Sequence, residues 1–244
     1  MSIAYIIYSL FMKRVVLLLP LALSPVYAIG FWGSFGSGLS FGGLREWKWK
    51  LVYSEGNYSE IYSDTLWATP GGLLPKYNFA VGLSLEPQLP LFLGVGLEYQ
   101  EGMALYTFTN KELSSENREV ISKYSWLVYT KRKNITFPLG FNFNFQPIKF
   151  QVGVYPAITE YTIAWCSEDF CWVNDHNGFT FGGFANAYYF AGPMGFGGGF
   201  YLDFGGASMK KDIEPRTSFE SNLTNIIHYG INLNVILQYN LRTF

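Results

Sequence analysis

Large apolar side chains occupy every second position over residues 134–156, and this period restricts the fold more than any other feature of the chain. In the segment NITFPLGFNFNFQPIKFQVGVYP they run from Ile135 to Phe145 and resume at Phe150 after a Gln-Pro-Ile turn. The positions between them carry mostly small or amide side chains. Because side chains of a β-strand point alternately to opposite faces, the segment predicts two strands, each with two different faces.

The same alternation recurs along most of the chain and predicts eight strands. Three of the connections between them are short and contain proline, at 86–90, 146–148 and 191–193, whereas the other four are long. Alternating short turns and long loops are typical of an antiparallel up-and-down barrel that crosses a membrane. The predicted strands lie near 31–43, 77–85, 91–100, 134–145, 149–160, 179–190, 194–204 and 228–241.

Composition indicates which face of these strands meets lipid. Charged residues make up 14% of the chain, against roughly 25% in ordinary soluble domains. The less apolar face carries mainly Gly, Ser, Asn and Gln, unlike the charged face that a soluble sheet turns to water. We therefore expect the apolar face to meet lipid and the other face to line a narrow interior. Aromatic girdles are predicted at Tyr77, Tyr99 and Tyr229 on one side of the membrane and at Phe145, Tyr189 and Tyr239 on the other.

The N-terminal residues have the form of a secretory signal peptide. From Met12, a Lys-Arg pair precedes an apolar stretch that closes with small residues up to Ala28. We expect cleavage after Ala28, which leaves 29–244 as the barrel, and Met12 is an alternative to Met1 as the true start. A membrane anchor is the competing interpretation of residues 1–28, but the apolar stretch is too short to span a bilayer.

Cys166 and Cys171 are the two cysteines of the chain. In an exported protein, a close pair of cysteines more often forms a disulfide than a metal site. A metal site would need further ligands, and only His176 and three acidic residues lie nearby. We therefore expect a disulfide between the two cysteines, and neither a metal nor a cofactor.

Several charged and amide residues fall on the face that is predicted to point inward. Buried charges need partners, so these residues are predicted to form a polar network that fills the barrel. An ion pathway is the alternative, but a barrel of eight strands has an interior just wide enough for side chains. The net charge of −1 provides no basic excess for binding nucleic acid. The predicted members of the network are Glu98, Asn142, Asn144, Gln151, Asn186, Asp203 and Asn234.

With a signal peptide, two-faced strands, alternating short turns and long loops, and the terminal Phe244, the chain resembles the small outer-membrane β-barrel proteins of the OmpX/OmpA type. The resemblance covers residues 29–244 and implies an all-β, eight-stranded, monomeric barrel in the outer membrane. It also implies two kinds of partner, the outer-membrane lipids and the barrel-assembly machinery. Tyr239, Leu241 and Phe244 resemble the C-terminal signal that this machinery reads.

Some barrels of this architecture modify lipid A, and the resemblance extends to that chemistry only if a His-x-Ser pair and an acid lie on the lipid-facing surface. His176 and His228 are the two histidines, and they are followed by Asn-Gly and Tyr-Gly. Serine is missing at the required position in both cases. A lipid A-modifying enzyme is therefore the third interpretation, and His228 is predicted to lie at the rim of a strand.

The long connections carry most of the chemical variety. Arg45–Trp67 and Lys111–Lys133 combine charged and aromatic residues, and Leu105 and Tyr129 keep the phase of the strands next to them. Strands that run past the membrane would offer an open sheet edge to a protein partner, although the aromatic residues could equally hold the loops together. We predict a non-catalytic structural or surface-interaction role at these loops, with an unknown partner. A barrel that binds or passes a small hydrophobic molecule or lipid is the alternative.

Overall fold

The computed structural model of the protein describes residues 29–240 except 56–57, 87–88, 114–118, 167–170 and 215–216. The described residues form eleven β-strands that belong to one sheet, in which every pairing is antiparallel. No helix in this part of the chain is long and apolar enough to span a membrane. The strands are β1 (Gly30–Gly43), β2 (Glu46–Glu55), β3 (Tyr58–Gly71), β4 (Leu73–Ser84), β5 (Leu91–Leu113), β6 (Glu119–Thr136), β7 (Leu139–Phe145), β8 (Ile148–Cys166), β9 (Cys171–Ala191), β10 (Met194–Glu214) and β11 (Thr217–Asn240).

The sheet closes into an up-and-down barrel because β1 pairs with β4 on one side and with β11 on the other. The eleven strands make eight crossings of the wall, since β2 continues β1, β4 continues β3 and β7 continues β6. The prediction of an antiparallel barrel is confirmed, whereas eight was wrong as the number of strands. Each of the eight predicted strands falls on one crossing, and three crossings are interrupted by corners that the period of the side chains does not reveal.

A circuit of the barrel through directly paired residues returns to β1 ten residues above its start. This stagger tilts the strands against the barrel axis, by roughly 35–45° in barrels of this kind. Residues that lie side by side in the sheet therefore differ in height, and distant parts of the sequence reach the same level of the interior. The circuit runs through Gly30, Ser84, Phe92, Gly140, Gly153, Phe184, Tyr201, Gly230 and Ser40.

One outward-facing residue from each crossing marks the upper limit of a nearly continuous apolar outer surface. We call this row the outer girdle and the barrel between it and the three short turns the lower barrel. Phe35, Leu97 and Leu233 are examples of its outward side chains, and these three are between 57% and 69% exposed, as the face assignment predicted. The girdle consists of Phe41, Tyr77, Tyr99, Lys133, Glu160, Phe179, Phe204 and Tyr229.

Above the girdle, the segments that were predicted as long loops continue as strands, so that prediction was wrong. They form four hairpins, β2–β3, β5–β6, β8–β9 and β10–β11, which we call the upper barrel. The upper barrel is apolar inside, where the side chains exclude water from the hairpins. Its buried cluster consists of Leu44, Trp47, Ala68, Leu74, Ala104, Tyr106, Phe108, Val128, Tyr161, Ile163, Ala207, Leu223 and Ile226.

A corner between β1 and β2 exchanges the inward and outward faces of the first crossing. Gly42 has a φ of 95°, and a Cβ atom there would lie 2.2 Å from the carbonyl oxygen of Ile227, so glycine is required. Phe41 faces outward below this corner, but Trp47 is buried inside the barrel above it. Odd-numbered residues therefore face outward along β1, whereas Trp47 on β2 faces inward.

The barrel wall accommodates two departures from the regular alternation of the sequence. Pro138 lies in the short gap between β6 and β7, where its carbonyl oxygen accepts a hydrogen bond from the Gly94 N–H at 2.9 Å. The register against β5 continues unchanged across that gap. Phe184, Tyr188 and Phe190, which obscured the two faces of β9, point inward and pack in an apolar layer of the lower barrel.

Candidate functional site: the filled interior and the protruding hairpins

Two ion pairs cross the interior at the height of the outer girdle. Arg132 Nη1 lies 3.0 Å from Asp203 Oδ1, and both side chains are buried. Lys76 Nζ lies 2.9 Å from Glu98 Oε1. These four charged groups are tolerated inside the barrel because each has an opposite charge beside it, and Arg132, Asp203 and Glu98 have further hydrogen bonds.

Neutral side chains join these two ion pairs into one network. Asn134 accepts a hydrogen bond from Arg132 Nε at 3.2 Å and donates one to Glu98 Oε2 at 3.1 Å. Tyr155 donates its hydroxyl to Asp203 Oδ2 at 3.1 Å, and Lys76 Nζ stands 3.4 Å from the centre of the Tyr201 ring. The network ties β4, β5, β6, β8 and β10 together across the interior and blocks it.

The Tyr155 ring lies over the neighbouring strand β9, where its direct partner is Gly182. A Cβ atom at Gly182 would lie 2.3 Å from the Tyr155 ring. Inward-facing glycines thus leave room for large side chains, which pack against the glycine backbone.

A small cavity of about 70 Å³ lies below the charged network. Asn78, Asn186 and Asn232 line it, and their Oδ1 atoms have no hydrogen-bond partner among the described residues. Polar cavities of this size hold ordered water, which satisfies such atoms. A pocket for a drug-sized molecule is several times larger and mainly apolar, so the interior does not provide one here.

An apolar layer and a third ion pair close the interior below that cavity. Trp32, Phe92, Tyr188 and Ile236 form the layer. At the end with the short turns, several polar side chains meet the buried ammonium group of Lys149. Lys149 Nζ lies 2.9 Å from Glu86 Oε2, with Gln238 bonded to both groups and the Phe190 ring 5.2 Å away. The barrel is therefore blocked at three levels.

Both histidines lie inside the barrel and are fully buried. The prediction that His228 lies at a strand rim was wrong, because β11 continues for another eleven residues beyond it to Thr217. His228 Nδ1 lies 3.3 Å from Ser40 Oγ. His176 Nε2 lies 2.8 Å from Ser221 Oγ, which also accepts a hydrogen bond from Trp47 Nε1 at 2.8 Å.

These histidine–serine pairs lack what acyl transfer requires. In the described part of the chain no carboxylate bonds to the second ring nitrogen of either histidine, and neither pair is open to lipid or water. Burial lowers the pKa of His176 in the upper barrel to about 4, so this ring is neutral at physiological pH. The geometry suits packing inside the wall rather than proton transfer to a substrate.

The predicted network residues occupy different positions along the barrel. Asn142, Gln151, Asp203 and Asn234 are buried, Glu98 and Asn186 are partly buried, and Asn144 is exposed at the end with the short turns. Of these, Glu98 and Asp203 meet in the charged network, and Asn234 accepts a hydrogen bond from Asn78 Nδ2 at 3.0 Å.

Sequence reasoning missed the basic half of the interior. Lys76 and Arg132 were assigned to long loops, and Lys149 was not considered. The period itself contained the signal, because Lys76 is in phase with Asn78, and Arg132 with Asn134, on the inward face. Extending the inward phase beyond each predicted strand end would have found them.

A carboxylate on the outer wall lies just above the girdle. Glu101 accepts hydrogen bonds from the hydroxyls of Tyr99 and Tyr129. The bond to Glu101 is the main reason that the pKa of Tyr129 is raised to about 12. Beyond it, Met103, Leu105 and Leu127 remain about half exposed, as expected for strands that run past the membrane.

Some predicted features fall at the edge of the described residues or beyond them. Cys166 and Cys171 are directly opposite each other in the β8–β9 register, but their side chains lie outside what the structure describes. The disulfide therefore stays a prediction. The same holds for the signal peptide at 1–28 and for Leu241 and Phe244 of the assembly signal, whereas Tyr239 faces outward and is exposed. No group of His, Cys, Asp or Glu side chains among residues 29–240, apart from the gaps named above, could hold a metal ion.

The apolar outer surface of the lower barrel indicates that the protein lies in a membrane. A closed antiparallel barrel with short turns at one end, an apolar band and a polar interior is the structure of barrels that span bacterial outer membranes. The protein is an outer-membrane β-barrel. Its short turns are then on the periplasmic side, and its upper barrel stands outside the cell.

Solved structures with a similar overall fold are also outer-membrane proteins. The chain matches OprG from Pseudomonas aeruginosa with 9% identity and a TM-score of 0.47, over 86% of this chain and 97% of OprG. It matches Neisserial surface protein A with 12% identity and a TM-score of 0.43, over 86% and 97% of the two chains. The outer-membrane protease OmpT from Escherichia coli matches with 10% identity and a TM-score of 0.40, over 88% and 98%.

At these identities and TM-scores, the similarities carry no information on the activity of the outer-membrane barrel. No protein-family model matches the chain. No curated protein matches it either.

Proposed function

We propose that the protein is a non-catalytic surface-interaction protein whose extracellular hairpins bind a protein partner by adding a strand to their sheet. The observation that carries this proposal is an open edge on β6. Residues 119–136 of β6 pair with β5, but pairing with β8 begins only at Tyr129 opposite Ala164. Among the residues that the structure describes, the backbone of β6 over 119–125 is therefore paired with β5 alone.

An open edge of this length favours an extended peptide as the ligand. Backbone N–H and C=O groups along an edge strand are a template for another strand, and strand addition obtains its affinity from these groups. The rigid barrel below holds the edge upright above the membrane, which reduces the entropy lost on binding. Proteins usually protect such edges, so an edge left open outside the cell favours a binding role.

The state of the interior supports an interaction role over transport. The charged network, the apolar layer and the Lys149–Glu86 pair each fill the cross-section. All eight crossings are also paired with both neighbours in the lower barrel, which leaves no side exit to the membrane. A molecule that passed through this barrel would have to break several buried ion pairs.

Proline substitutions in β6 test the open edge directly. Adjacent N–H groups of a strand point to opposite sides, so of Lys123 and Tyr124 one donates towards β5 and the other towards the open edge. We expect that proline at the edge-facing position abolishes binding of a synthetic peptide with the sequence of residues 104–113, the segment that pairs with the other side of β6. Lys123→Ala and Tyr124→Ala keep both N–H groups and serve as matched controls. Equal peptide binding by all four variants would contradict the proposal.

A second experiment separates the interaction role from an enzyme. Cells that carry the barrel without residues 105–127 should lose binding to surface partners and keep a folded lower barrel, because these residues lie in the upper barrel and pair there with each other and with β3. Cells that carry His228→Ala should retain the lipid A mass profile of the wild type. A changed lipid A profile in the His228→Ala cells, with unchanged binding in the deletion, would replace the interaction role by catalysis.

A further inference from the structure

A groove on the outer wall lies directly below the outer girdle. It has a volume of about 560 Å³ and crosses β4, β5, β6 and β8. Its upper wall consists of the girdle residues Tyr77, Tyr99, Lys133 and Glu160, which are directly paired from strand to strand. Its lower wall is the row Phe79, Leu97, Ile135 and Ile158, which are paired in the same way.

The floor of the groove is backbone, which explains why the space is open. Asn78, Glu98, Asn134 and Thr159 lie between the two rows, and their side chains point into the barrel, where Asn134 bonds to Glu98 and Thr159. The Tyr99 hydroxyl points away from the groove because it bonds to Glu101, two residues higher on the outer face. With strands roughly 4.8 Å apart, the groove is about 14 Å long from β4 to β8.

The groove opens onto the lipid-facing surface, so its occupant comes from the membrane. Phe79, Leu97, Ile135 and Ile158 are each between two-fifths and three-fifths exposed and belong to the apolar surface of the lower barrel. Acyl chains already cover that surface. The groove lies at the level where acyl chains end and headgroups begin.

The upper wall carries one cation and one anion side by side. Lys133 Nζ lies 2.6 Å from Glu160 Oε1, and the two side chains are 47% and 41% exposed. An ion pair this exposed is weak because water screens it, so a ligand with both charges can take its place. A headgroup with a phosphate next to an ammonium group matches the two charges.

We propose that this groove binds a phospholipid with a phosphoethanolamine headgroup. One acyl chain lies along the groove against Leu97 and Ile135. The phosphate accepts hydrogen bonds from Lys133 Nζ, and the ammonium group donates to the Glu160 carboxylate. Both partners of the original ion pair remain satisfied, which is what distinguishes this lipid from one with a purely anionic headgroup.

A second outer groove provides an internal control. It has a volume of about 670 Å³ and is lined by Phe35, Ser37, Tyr77, Phe196, Leu233 and Val235, with no charged residue among them. Its lining can hold an acyl chain but cannot select a headgroup. Binding there should be the same for lipids that differ only in their headgroups.

The test is native mass spectrometry of the full barrel released from nanodiscs that contain equal amounts of phosphatidylethanolamine and phosphatidylglycerol. We expect the wild type to retain phosphatidylethanolamine several-fold more often than phosphatidylglycerol. Lys133→Gln should lose this preference, and Glu160→Gln should shift it towards phosphatidylglycerol because the anionic side chain is gone. Lys123→Gln, on the same strand above the membrane, should behave as the wild type.

Two further variants keep the test decisive if a charge variant does not fold. Ile158→Trp fills the proposed groove and should remove the retained phosphatidylethanolamine, whereas Val235→Trp fills the control groove and should not. Retention of the two lipids in equal amounts by the wild type would overturn the proposal. So would an unchanged preference in both Lys133→Gln and Ile158→Trp.

Discussion

The lower and upper barrels have opposite faces, although β5, β6, β8, β9, β10 and β11 run through both. On β5, Leu97 faces outward and Glu98 inward below the girdle, whereas Thr107 faces outward and Phe108 inward above it. The lower barrel thus has a polar interior and an apolar surface, and the upper barrel has an apolar interior. The difference shows that most apolar side chains gather on the side of the wall that excludes water, whereas Met103, Leu105 and Leu127 stay exposed just above the girdle.

In the lower barrel the membrane excludes water on the outside, so the interior must satisfy the polar groups. In the upper barrel water surrounds the hairpins, so apolar side chains gather inside as in a soluble protein. The two arrangements meet at the girdle, where the Arg132–Asp203 and Lys76–Glu98 pairs lie. The following experiments probe this inversion, beginning with the largest expected effect.

The charged network at the boundary should be the most sensitive position. Arg132→Ala leaves Asp203 buried without its partner, and we expect the free energy of unfolding to fall by about 3–5 kcal/mol. Urea unfolding of the barrel in lipid vesicles, followed by tryptophan fluorescence, measures this. The double variant Arg132→Met/Asp203→Leu removes both charges and should recover most of the loss. If the double variant is as unstable as Arg132→Ala, the loss of stability comes from removing the ion pair and not from leaving the Asp203 carboxylate buried without a partner.

An outward charge should be costly below the girdle and harmless above it. Val95→Arg places a charge on the lipid-facing surface, and we expect a cost of about 2–4 kcal/mol. Thr107→Arg places the same side chain on the outer face of the same strand in water, where surface substitutions usually change stability by about 0.5 kcal/mol or less. The two variants are compared by urea unfolding under identical conditions. Equal costs would mean that the upper part of β5 also lies in lipid.

The upper barrel should lose stability in acid through His176. Its pKa is about 4 in the folded protein against 6.5 for a free histidine, so the unfolded chain binds the extra proton first. The stabilisation is complete above pH 6.5 and is lost as the pH falls from 6.5 to about 4. At about 1.4 kcal/mol per pKa unit, the loss is roughly 3 kcal/mol at most. His176→Gln should remove this part of the pH dependence, as measured by hydrogen exchange of the upper strands. An identical pH profile in the variant would exclude His176 as the cause.

The predicted disulfide should have the smallest effect on the barrel. Cys166 and Cys171 close a very short loop at the end of the β8–β9 hairpin, far from the membrane. Such a short loop restricts the unfolded chain little. We expect reduction to speed hydrogen exchange at this hairpin end and to leave the unfolding midpoint of the barrel unchanged. Mass spectrometry of the non-reduced protein that finds two free thiols would contradict the disulfide.

The period of the side chains predicted the lower barrel well, because a strand with one apolar and one polar face has residues of the two kinds at alternate positions. Phe141 and Val152 were placed on the lipid-facing side, and they are half exposed there. The same period failed at the first corner, where Gly42 and Gly43 exchange the faces and turn Trp47 inward. It also failed to separate loops from strands above the girdle, since the change from apolar-out to apolar-in interrupts the expected pattern.

The sequence by itself determined the fold class, the eight crossings and the face that each residue shares with its neighbours at every second position. These properties are local, because they follow from the extended backbone. Only the tertiary structure decided which face is inside above the girdle and which charges meet there. Arg132 and Asp203 are 71 residues apart, and their contact depends on the closure and the stagger of the whole barrel. No short segment contains that information, because the height of each side chain depends on the register of all the strands before it.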